Sequence, residues 1–277
     1  MSLPVISVEQ MRRWEEATWE SSKTEEEVIA QVGEVVAARV MELTQPGDAI
    51  LLLAGKGHNG DDVRAVANHL PEREVSLLSV TVPAKTRQKL PLDLDPAPAL
   101  VVDGLFGIGL NRPLDADWMQ VIAQVNAKRL RVLSVDAPSG IDAATGEVQG
   151  AAIRATETLT LGAAKRGLLQ PSASEFVGQL RVAPDIGLSP CRETSDLLLG
   201  QADDLGGRTI FICGGAQVYA QALGQCSDLY LSVVKHEVEG DAFFPEFEPM
   251  FDAGETLRES GDFDVIHYRR LGQAGGD

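Results

Sequence analysis

The sequence predicts an α/β fold of three layers built on a doubly wound, mostly parallel sheet. The runs 49–53 and 99–102 are continuous and apolar, which is typical of strands buried on both faces of a parallel sheet. Each run is followed by a loop rich in Gly, Asn and Asp. Because ligands bind where the strands of such sheets end, the two loops predict a nucleotide site.

Capping signals and apolar spacing predict the elements around these strands. Thr24-Glu-Glu-Glu27 has the form of a capping box, and apolar residues then recur at helical spacing up to Leu43. Pro46-Gly47-Asp48 ends this long helix. We also expect helices over 63–70 and 118–125, and strands over 75–80, 131–135 and 156–161.

The chain is long enough for two domains. A loop-like, charged stretch over 188–208 places the boundary between a domain at 1–190 and a smaller α/β segment at 191–277. Within the second segment we expect strands over 209–213 and 229–234 and a helix over 216–223.

Composition excludes several classes of partner. Lys and Arg total 24 against 41 Asp and Glu, for a net charge of −17, so we expect no binding to nucleic acid or to anionic membranes. No apolar run approaches the length of a membrane span, and the chain begins without a basic, then apolar, leader, which favours a cytoplasmic protein. Cys191, Cys213 and Cys226 lack metal-ligand spacing and are expected to be reduced structural thiols.

Polar residues at three predicted strand ends are the candidates for chemistry. Asn59, Asp103 and Ser139 are hard oxygen donors, which suit an alkali or alkaline-earth cation better than zinc. Alternatively, Ser139 caps a helix and Asp103 forms a turn. Asp136 and Lys165 are the acid–base candidates, because a carboxylate at a strand end can be tuned by a neighbouring ammonium group or metal.

The glycines of the first loop let backbone amides approach a ligand, and the following helix offers its positive end to phosphate. An ordinary strand-to-helix turn is the alternative. Taken alone, His58 is expected to be a surface residue rather than a ligand or base.

Five motifs occur in order along the first 190 residues. They are Gly55-Lys-Gly-His-Asn-Gly-Asp-Asp-Val63, Asp103-Gly-Leu-Phe-Gly-Ile-Gly-Leu110, Asp136-Ala-Pro-Ser-Gly-Ile-Asp142, Leu161-Gly-Ala-Ala-Lys-Arg-Gly-Leu168 and Ala183-Pro-Asp-Ile-Gly187. This series resembles the YjeF N-terminal family, the NAD(P)H-hydrate epimerases. The resemblance implies a Rossmann-like fold and an isomerase of metabolite repair, which interconverts the R and S forms of hydrated NADH or NADPH (NADHX or NADPHX) at C6.

The resemblance also implies a set of site residues. Those that would bind the dinucleotide are His58, Asn59, Gly60, Asp61, Asp62, Gly107, Ile108, Gly109, Leu110, Asn111, Arg112 and Pro113, with Asp136 against the hydrated ring. Asn59, Asp103 and Ser139 would bind a potassium ion. We hypothesise that Asp136 shuttles the proton of the C6 hydroxyl while Lys165 sets its charge.

The first loop departs from the family pattern at two positions. Asp61 stands where the family has Gly, and Val63 replaces the Gly after the loop's final Asp. A side chain at a former glycine can block a backbone approach or a positive φ, at roughly 1 kcal/mol or more, and Asp61 adds negative charge near a pyrophosphate. The alternative function is therefore a catalytically inactive nucleotide-binding or scaffolding protein.

The C-terminal segment carries a second set of motifs, 206–219, Asp228-Leu-Tyr-Leu231, 239–247 and His267-Tyr-Arg-Arg270. They resemble the last third to half of dihydrofolate reductase. By this resemblance Gly214 and Gly215 match the Gly-Gly pair that adjoins the nicotinamide cofactor in that family. The family's catalytic carboxylate lies in its N-terminal half, which has no counterpart before Gly206. We expect a truncated, noncatalytic segment, and an active reductase ranks third among the possible functions.

Two expectations about partners follow. A half domain leaves a strand edge and an apolar face uncovered, so we expect a tight interdomain or dimer interface and a homodimer. The chain also has no counterpart of the dehydratase domain to which this family is often fused. A separate S-specific NAD(P)H-hydrate dehydratase is expected to act in the same pathway.

Overall fold

The computed structural model describes residues 2–21, 23–86, 90, 97–191, 198–200, 219, 223, 226–235 and 244–271. The chain divides into a first unit, Met1–Gln201, and a second unit, Ala202–Asp277. This division falls later than the boundary expected after residue 190. The reason is that the strand Leu198–Gly200 pairs with the strand Ser2–Ile6 at the start of the chain.

The first unit alternates strands and helices along its length. Its helices are α1 (Val8–Trp19), α2 (Glu25–Leu43), α3 (His58–Val66), α4 (Pro83–Thr86), α5 (Ala116–Ala127) and α6 (Ser174–Val177). Its strands are β1 (Ser2–Ile6), β2 (Ala49–Ala54), β3 (Glu74–Ser79), β4 (Leu100–Gly104), β5 (Val132–Val135), β6 (Glu157–Leu161), β7 (Ala164–Lys165), β8 (Gln179–Ala183) and β9 (Leu198–Gly200). Single 3₁₀ turns cover Ala67–His69, Arg166–Leu169 and Pro171–Ala173.

Six of these strands form one sheet in the order β3-β2-β4-β5-β6-β8, and every pair is parallel. The register aligns Leu52 with Val102 and Val102 with Leu133. The predicted parallel sheet is therefore confirmed, and the carboxyl ends of β2, β4 and β5 lie side by side. This edge is where the polar loops of the sequence meet.

Apolar side chains cover both faces of the sheet, which gives the three layers. On one face, Leu52 and Val102 pack with α2 and α3 residues such as Val36 and Val63. On the other face, Leu51, Leu53 and Val101 pack with Val121 and Ile122 of α5. Burial on both faces explains why the strand sequences lack alternation.

Capping boxes fix the starts of the two N-terminal helices. The Thr24 hydroxyl accepts a hydrogen bond from the Glu27 amide, and the Glu27 carboxylate accepts one from the Thr24 amide, so the predicted box is confirmed. Ser7 and Gln10 form an equivalent box for α1, a helix that the pattern analysis missed.

Helix α3 begins earlier than the predicted helix over 63–70, since the first turn already contains His58 and Asn59. Gly57 is its N-cap, and the Gly60 amide donates to the Gly57 carbonyl. A Cβ on Gly60 would lie 2.2 Å from the Gly55 carbonyl oxygen. Position 60 therefore needs glycine, because two segments of backbone approach each other closely here. From the sequence alone, this glycine is interpreted as part of a loop.

The two departures from the family pattern lie within α3, where neither residue adopts a positive φ. The Val63 side chain is fully buried against Gly104, where an added Cβ would lie 2.3 Å from Val63 Cγ2. The Asp61 carboxylate is paired with Arg64, at 2.7 Å between Oδ1 and Nη1. Neither position therefore requires the backbone freedom of glycine, contrary to the strain expected from the sequence.

The second unit contains β10 (Asp228–Val234), β11 (Glu255–Glu259) and β12 (Phe263–Arg269), with a 3₁₀ turn at Glu248–Met250. These strands form an antiparallel sheet in the order β10-β12-β11. Leu223, Leu229 and Phe251 form a small core. The predicted strand over 229–234 is confirmed. Gly214, Gly215, the predicted strand over 209–213 and, apart from 219 and 223, the predicted helix over 216–223 lie outside the described residues.

Cys191 is exposed and Cys226 is partly buried, whereas Cys213 lies outside the described residues. Within the part of the chain that the structure covers, no helix has both the length and the apolar character needed to cross a membrane.

The packing of Val63 on Gly104 gives a first prediction. Val63→Gly opens a cavity and places a glycine inside α3, so we expect the free energy of unfolding of the first unit to fall by about 3 kcal/mol. Asp61→Asn, the control, weakens one partly exposed ion pair and should cost less than about 1 kcal/mol. Trp14, Trp19 and Trp118 all lie in the first unit, so urea unfolding followed by tryptophan fluorescence reports on this unit. Equal losses in the two variants would contradict the packing role of Val63.

Candidate functional site

The carboxyl ends of the central strands open onto a cavity of about 1060 Å³, large enough for a sizeable organic ligand. Its walls come from α1, α2, the start of α3, the segment 105–115 and Asp136. The predicted dinucleotide residues that line it are His58, Asn59, Asp62, Gly107, Ile108, Gly109, Leu110, Asn111, Arg112, Pro113 and Asp136. Gly60 and Asp61 do not line the cavity, because Gly60 packs on Gly55 and Asp61 pairs with Arg64.

Asp136 and Lys165 form a buried ion pair beneath this cavity. The Lys165 ammonium lies 2.6 Å from Asp136 Oδ1 and also donates to Thr160 Oγ1 at 3.1 Å and to the Leu161 carbonyl at 2.7 Å. Its side chain is entirely buried. With three acceptors in place, the ammonium is held as a fixed positive charge against one carboxylate oxygen.

The second oxygen of Asp136 faces the loop after β4. The Ile108 amide donates to Oδ2 at 3.4 Å, and a Cβ on Gly107 would lie 3.3 Å from the same oxygen. Asp136 itself has a φ of 65°, a conformation that costs a residue with a side chain on the order of 1 kcal/mol. The fold thus holds this carboxylate in a strained turn, with one oxygen bound to Lys165 and the other directed toward the cavity wall.

Asp103 is the centre of a buried hydrogen-bond network at the end of β4. Its carboxylate accepts from Ser139 Oγ at 2.6 Å, from the Ser139 amide at 2.9 Å and from Ser134 Oγ at 2.8 Å. Burial raises the pKa of Asp103, while these hydrogen bonds partly oppose that shift. Asp103 also accepts from the Leu105 amide at 3.3 Å, so it both forms the predicted turn and binds Ser139.

Asn59 joins this network through the backbone of Phe106. Its amide nitrogen donates to the Phe106 carbonyl at 2.9 Å and to the Val135 carbonyl at 3.1 Å. The Phe106 amide donates in turn to Ser139 Oγ at 2.9 Å. Ser139 lies in a turn and binds these groups instead of capping a helix. The structure therefore brings together Asn59, Asp103 and Ser139, as expected from the ends of three adjacent strands.

One atom of this group lacks a hydrogen-bond partner. Asn59 Oδ1 is buried and, among the described residues, accepts no hydrogen bond. An unsatisfied buried carbonyl oxygen costs roughly 1–3 kcal/mol, and this atom is an acceptor that the network leaves unused. The Asn59 amide oxygen, the Asp103 carboxylate and the Ser139 hydroxyl are oxygen donors of the kinds that fit a hard cation.

Two further carboxylic acids that line the cavity have raised pKa values, Glu15 and Asp62. Burial, reinforced by the charge of Asp136, raises the pKa of Glu15 to about 6, although Lys165 and His58 oppose the shift. Burial and Asp136, with a smaller contribution from Asp61, raise the pKa of Asp62 well above its usual range. Asp62 is a predicted site residue, whereas sequence reasoning missed Glu15 because α1 itself was missed.

Basic groups lie at the exposed side of the same cavity. Arg12, Lys56 and Arg112 are exposed and line it. His58 is also exposed, with Nε2 3.0 Å from Glu25 Oε1, in keeping with a surface position. The Gly60 and Asp61 amides donate to the Gly57 carbonyl, but Gly57 provides no side-chain cap for α3. The His58 and Asn59 amides at the start of the helix are therefore available to an anion. The exposed acids Glu25 and Asp115 also line this side, so the rim carries charges of both signs, whereas the interior is acidic. The exposed cations suit anionic phosphates, and the acidic interior suits an uncharged or cationic ring.

Two family models match the chain. Residues 80–167 match the model described as YjeF-related protein N-terminus, and residues 189–267 match the model for dihydrofolate reductase. The two matches fall on different parts of the sequence, as the motifs predicted.

Curated relatives match half of the chain or more. An NAD(P)H-hydrate epimerase of Achromobacter xylosoxidans is 38% identical in an alignment of 188 positions, which covers 61% of this chain and 88% of that protein. One of Limosilactobacillus fermentum is 35% identical over 50% of this chain and 75% of its own length. A bifunctional NAD(P)H-hydrate repair enzyme of Gloeobacter violaceus is 33% identical over 70% of this chain but only 42% of that protein.

A solved structure has the same fold. The crystal structure of yeast ynu0 (YNL200c) matches with a TM-score of 0.51 and 19% identity, covering 65% of this chain and 87% of that one. At this identity the likeness concerns the fold alone. The family is shown by the curated epimerases, which are 35–38% identical and are matched over 75–88% of their length, and by the family model that matches residues 80–167. The chain therefore belongs to the YjeF N-terminal family of NAD(P)H-hydrate epimerases.

Proposed function

We propose that the first unit interconverts the R and S epimers of hydrated nicotinamide dinucleotides, NADHX and NADPHX, at C6. The observation that carries this proposal is the buried Asp136–Lys165 pair, which lies at the base of a cavity large enough for much of a dinucleotide. The reaction is one of metabolite repair, because it supplies the epimer that an S-specific dehydratase consumes.

The division of charge in the cavity supports a dinucleotide ligand. The exposed Arg12, Lys56 and Arg112 provide cations for the pyrophosphate, together with the amides at the start of α3. The acids inside the cavity favour an electron-poor ring over a second anion. Since both Asp61 and Val63 fit within α3, the departures from the family pattern give no steric argument against turnover.

The reaction requires the C6 hydroxyl to leave and return. C6 lies beside the ring nitrogen, so the nitrogen lone pair can expel the hydroxyl as water and form a planar iminium ion. We assign to Asp136 the exchange of the associated proton, with Lys165 stabilising its ionised form and Oδ2 positioned for the ring. Carboxylates around the ring also stabilise the cation that forms.

The assay uses a mixture of NADHX epimers and an S-specific dehydratase, so that the R form is consumed only after epimerisation. We expect the full chain to consume R-NADHX well above the nonenzymatic rate, and Asp136→Asn to lower the rate by about 100-fold or more. Asp48→Asn is the matched control, because the Asp48 carboxylate lies before β2 begins and accepts a local bond from the Gln45 amide. A rate for Asp136→Asn within about twofold of the wild type would remove Asp136 from the mechanism.

The same assay separates the alternative functions. Binding of NADHX without conversion would favour a nucleotide-binding or scaffolding protein. Dihydrofolate-dependent NADPH oxidation would favour a reductase, which we do not expect. We propose that the reductase-like second unit does not supply the chemistry.

We also propose that Asn59, Asp103 and Ser139 hold a potassium ion. The unpaired Asn59 Oδ1 and the convergence of three oxygen donors around the Phe106 backbone support this proposal. A bound potassium ion supplies fixed positive charge and orients its ligands. Asn59 would then link the start of α3 to the loop after β4, where the dinucleotide residues lie.

Thermal unfolding tests the cation without an activity measurement. At 0.1 M salt we expect KCl to raise the melting temperature above that in LiCl by about 2–4 °C, since a cation that binds only the native state stabilises it. Asn59→Ala should abolish this difference. Asn126→Ala is the control, because the Asn126 amide group likewise bonds to backbone groups, donating to the Ala152 carbonyl and accepting from the Arg154 amide, in another part of the fold. Identical melting temperatures of the wild type in the two salts would contradict the proposal.

We propose a cytoplasmic homodimer that works with a separate S-specific dehydratase. The support for dimerisation lies in the second unit. Among the described strands, β10 is at the edge of the sheet, next to β12, and it carries the exposed Tyr230 and Val233. Sedimentation velocity of the full chain should give the mass of a dimer, and a monomer at micromolar concentration would contradict this assembly.

A further inference from the structure

The planar iminium ion through which the epimerisation proceeds has two faces. The hydroxyl leaves from one face of the ring and water adds to the other, so a proton must be delivered on the first face and removed on the second. One carboxylate fixed on one side of the ring serves only one of these positions. If the proposed epimerase function holds, the cavity needs a second proton-transfer group.

Asp136 is held at the carboxyl end of β5, on the wall of the cavity that the sheet forms. Its Oδ1 is bound to Lys165 and its Oδ2 lies against Gly107 and Ile108. The turn after β5 and the fully buried lysine leave this carboxylate little freedom to cross to another wall of the cavity.

Helix α1 forms a different wall. Met11, Glu15 and Trp19 recur at a spacing of four residues and all line the cavity, which is the pattern of one helix face. The helix is anchored by Trp14, whose indole nitrogen donates to the Ser189 carbonyl at 2.7 Å. Among the acids of α1, Glu15 lines the cavity whereas Glu9 and Glu16 do not.

We propose that Glu15 is a second catalytic acid–base residue, which exchanges a proton with the C6 oxygen on the ring face opposite Asp136. The two carboxylic acids then occupy separate walls of one cavity, one on a helix and one at a strand end. This division matches the two faces of the planar intermediate.

The protonation behaviour of Glu15 suits this role. Its pKa of about 6 allows both forms near neutral pH. The groups that act on it are Asp136, which raises the pKa, and Lys165, His58 and Arg12, which lower it. Asp62 also lines the cavity but is more deeply buried than Glu15, and burial, with the charge of Asp136, raises its pKa well above its usual range. We assign no proton-transfer role to Asp62.

The proton balance closes over one inversion. In one direction, protonated Glu15 gives its proton to the C6 oxygen as the C–O bond breaks, the electron pair goes to that oxygen, and water and the iminium ion form. Water then adds on the other face, a new C–O bond forms, and the Asp136 carboxylate takes the released proton. The proton has moved from Glu15 to Asp136. The reverse reaction returns it directly, and before a second turnover in the same direction Asp136 gives its proton to solvent water while Glu15 takes one up.

Oxygen exchange tests this assignment on the full chain. Each purified NADHX epimer is incubated in H₂¹⁸O, and chromatography with mass spectrometry records inversion and label uptake separately. The variants are Glu15→Gln, Glu15→Asp and Glu16→Gln, the last being an exposed neighbour that does not line the cavity. Nonenzymatic rates are subtracted.

We expect Glu15→Gln to lower inversion by about 100-fold. The epimer whose hydroxyl faces Asp136 should still take up label without inversion, at a rate within about threefold of the wild type, because ionisation and return on that face remain possible. The other epimer should lose both processes. Asp136→Asn should give the mirror pattern, Glu15→Asp should recover part of the inversion, and Glu16→Gln should behave as the wild type.

Three results would overturn the assignment. Inversion by Glu15→Gln within about twofold of the wild type would show that the carboxyl is not needed. An equal loss of inversion and label uptake for both epimers would indicate a structural role. If the wild type itself shows neither process above the nonenzymatic rate, the epimerase function fails first, and the role of Glu15 fails with it.

Discussion

The burial of the Lys165 ammonium against Asp136 is the interaction on which the geometry of the site depends. A fully buried ammonium is tolerated only when its charge is paired and its hydrogens have acceptors, and the removal of one partner of such a pair costs about 3–5 kcal/mol. Asp136, Thr160 and Leu161 meet these needs from β5 and β6. Lys165 also belongs to β7, which aligns it with Ile6 of β1. The pair therefore ties the sheet to the N-terminal strand, and through it to α1, which carries Glu15.

Exposed basic groups at the cavity explain how a chain with a net charge of −17 can accept an anionic dinucleotide. The overall charge opposes the approach of phosphate, but the exposed basic groups at the cavity rim act over short range. Inside, burial keeps Glu15 and Asp62 partly neutral, which limits repulsion between the acids. The same burial prepares one of them to give up a proton.

The sequence predicted the parallel sheet and the convergence of Asn59, Asp103 and Ser139, because continuous apolar runs and strand-end polar residues are local signals. It did not predict the start of α3. The glycines around Gly57 look like a loop, but the close approach of Gly55 and Gly60 depends on contacts between two backbones. Helix α1 was missed although the Ser7–Gln10 capping box precedes Met11 and Trp14 at helical spacing. Glu15 could then be recognised only in three dimensions, since its role depends on which side of α1 faces the cavity.

The anchoring of Phe106 has a consequence for how ligand preference can change in this family. Its amide and its carbonyl, rather than its ring, connect Ser139 and Asn59, while the ring packs edge-on against Trp118 at 4.6 Å between centroids. Main-chain groups are the same in every non-proline residue. The identity of residue 106 can therefore vary, reshaping the cavity wall that both rings line, while the peptide contacts that hold the oxygen donors in register persist. At this position the shape of the ligand pocket and the integrity of the polar centre are free to evolve separately.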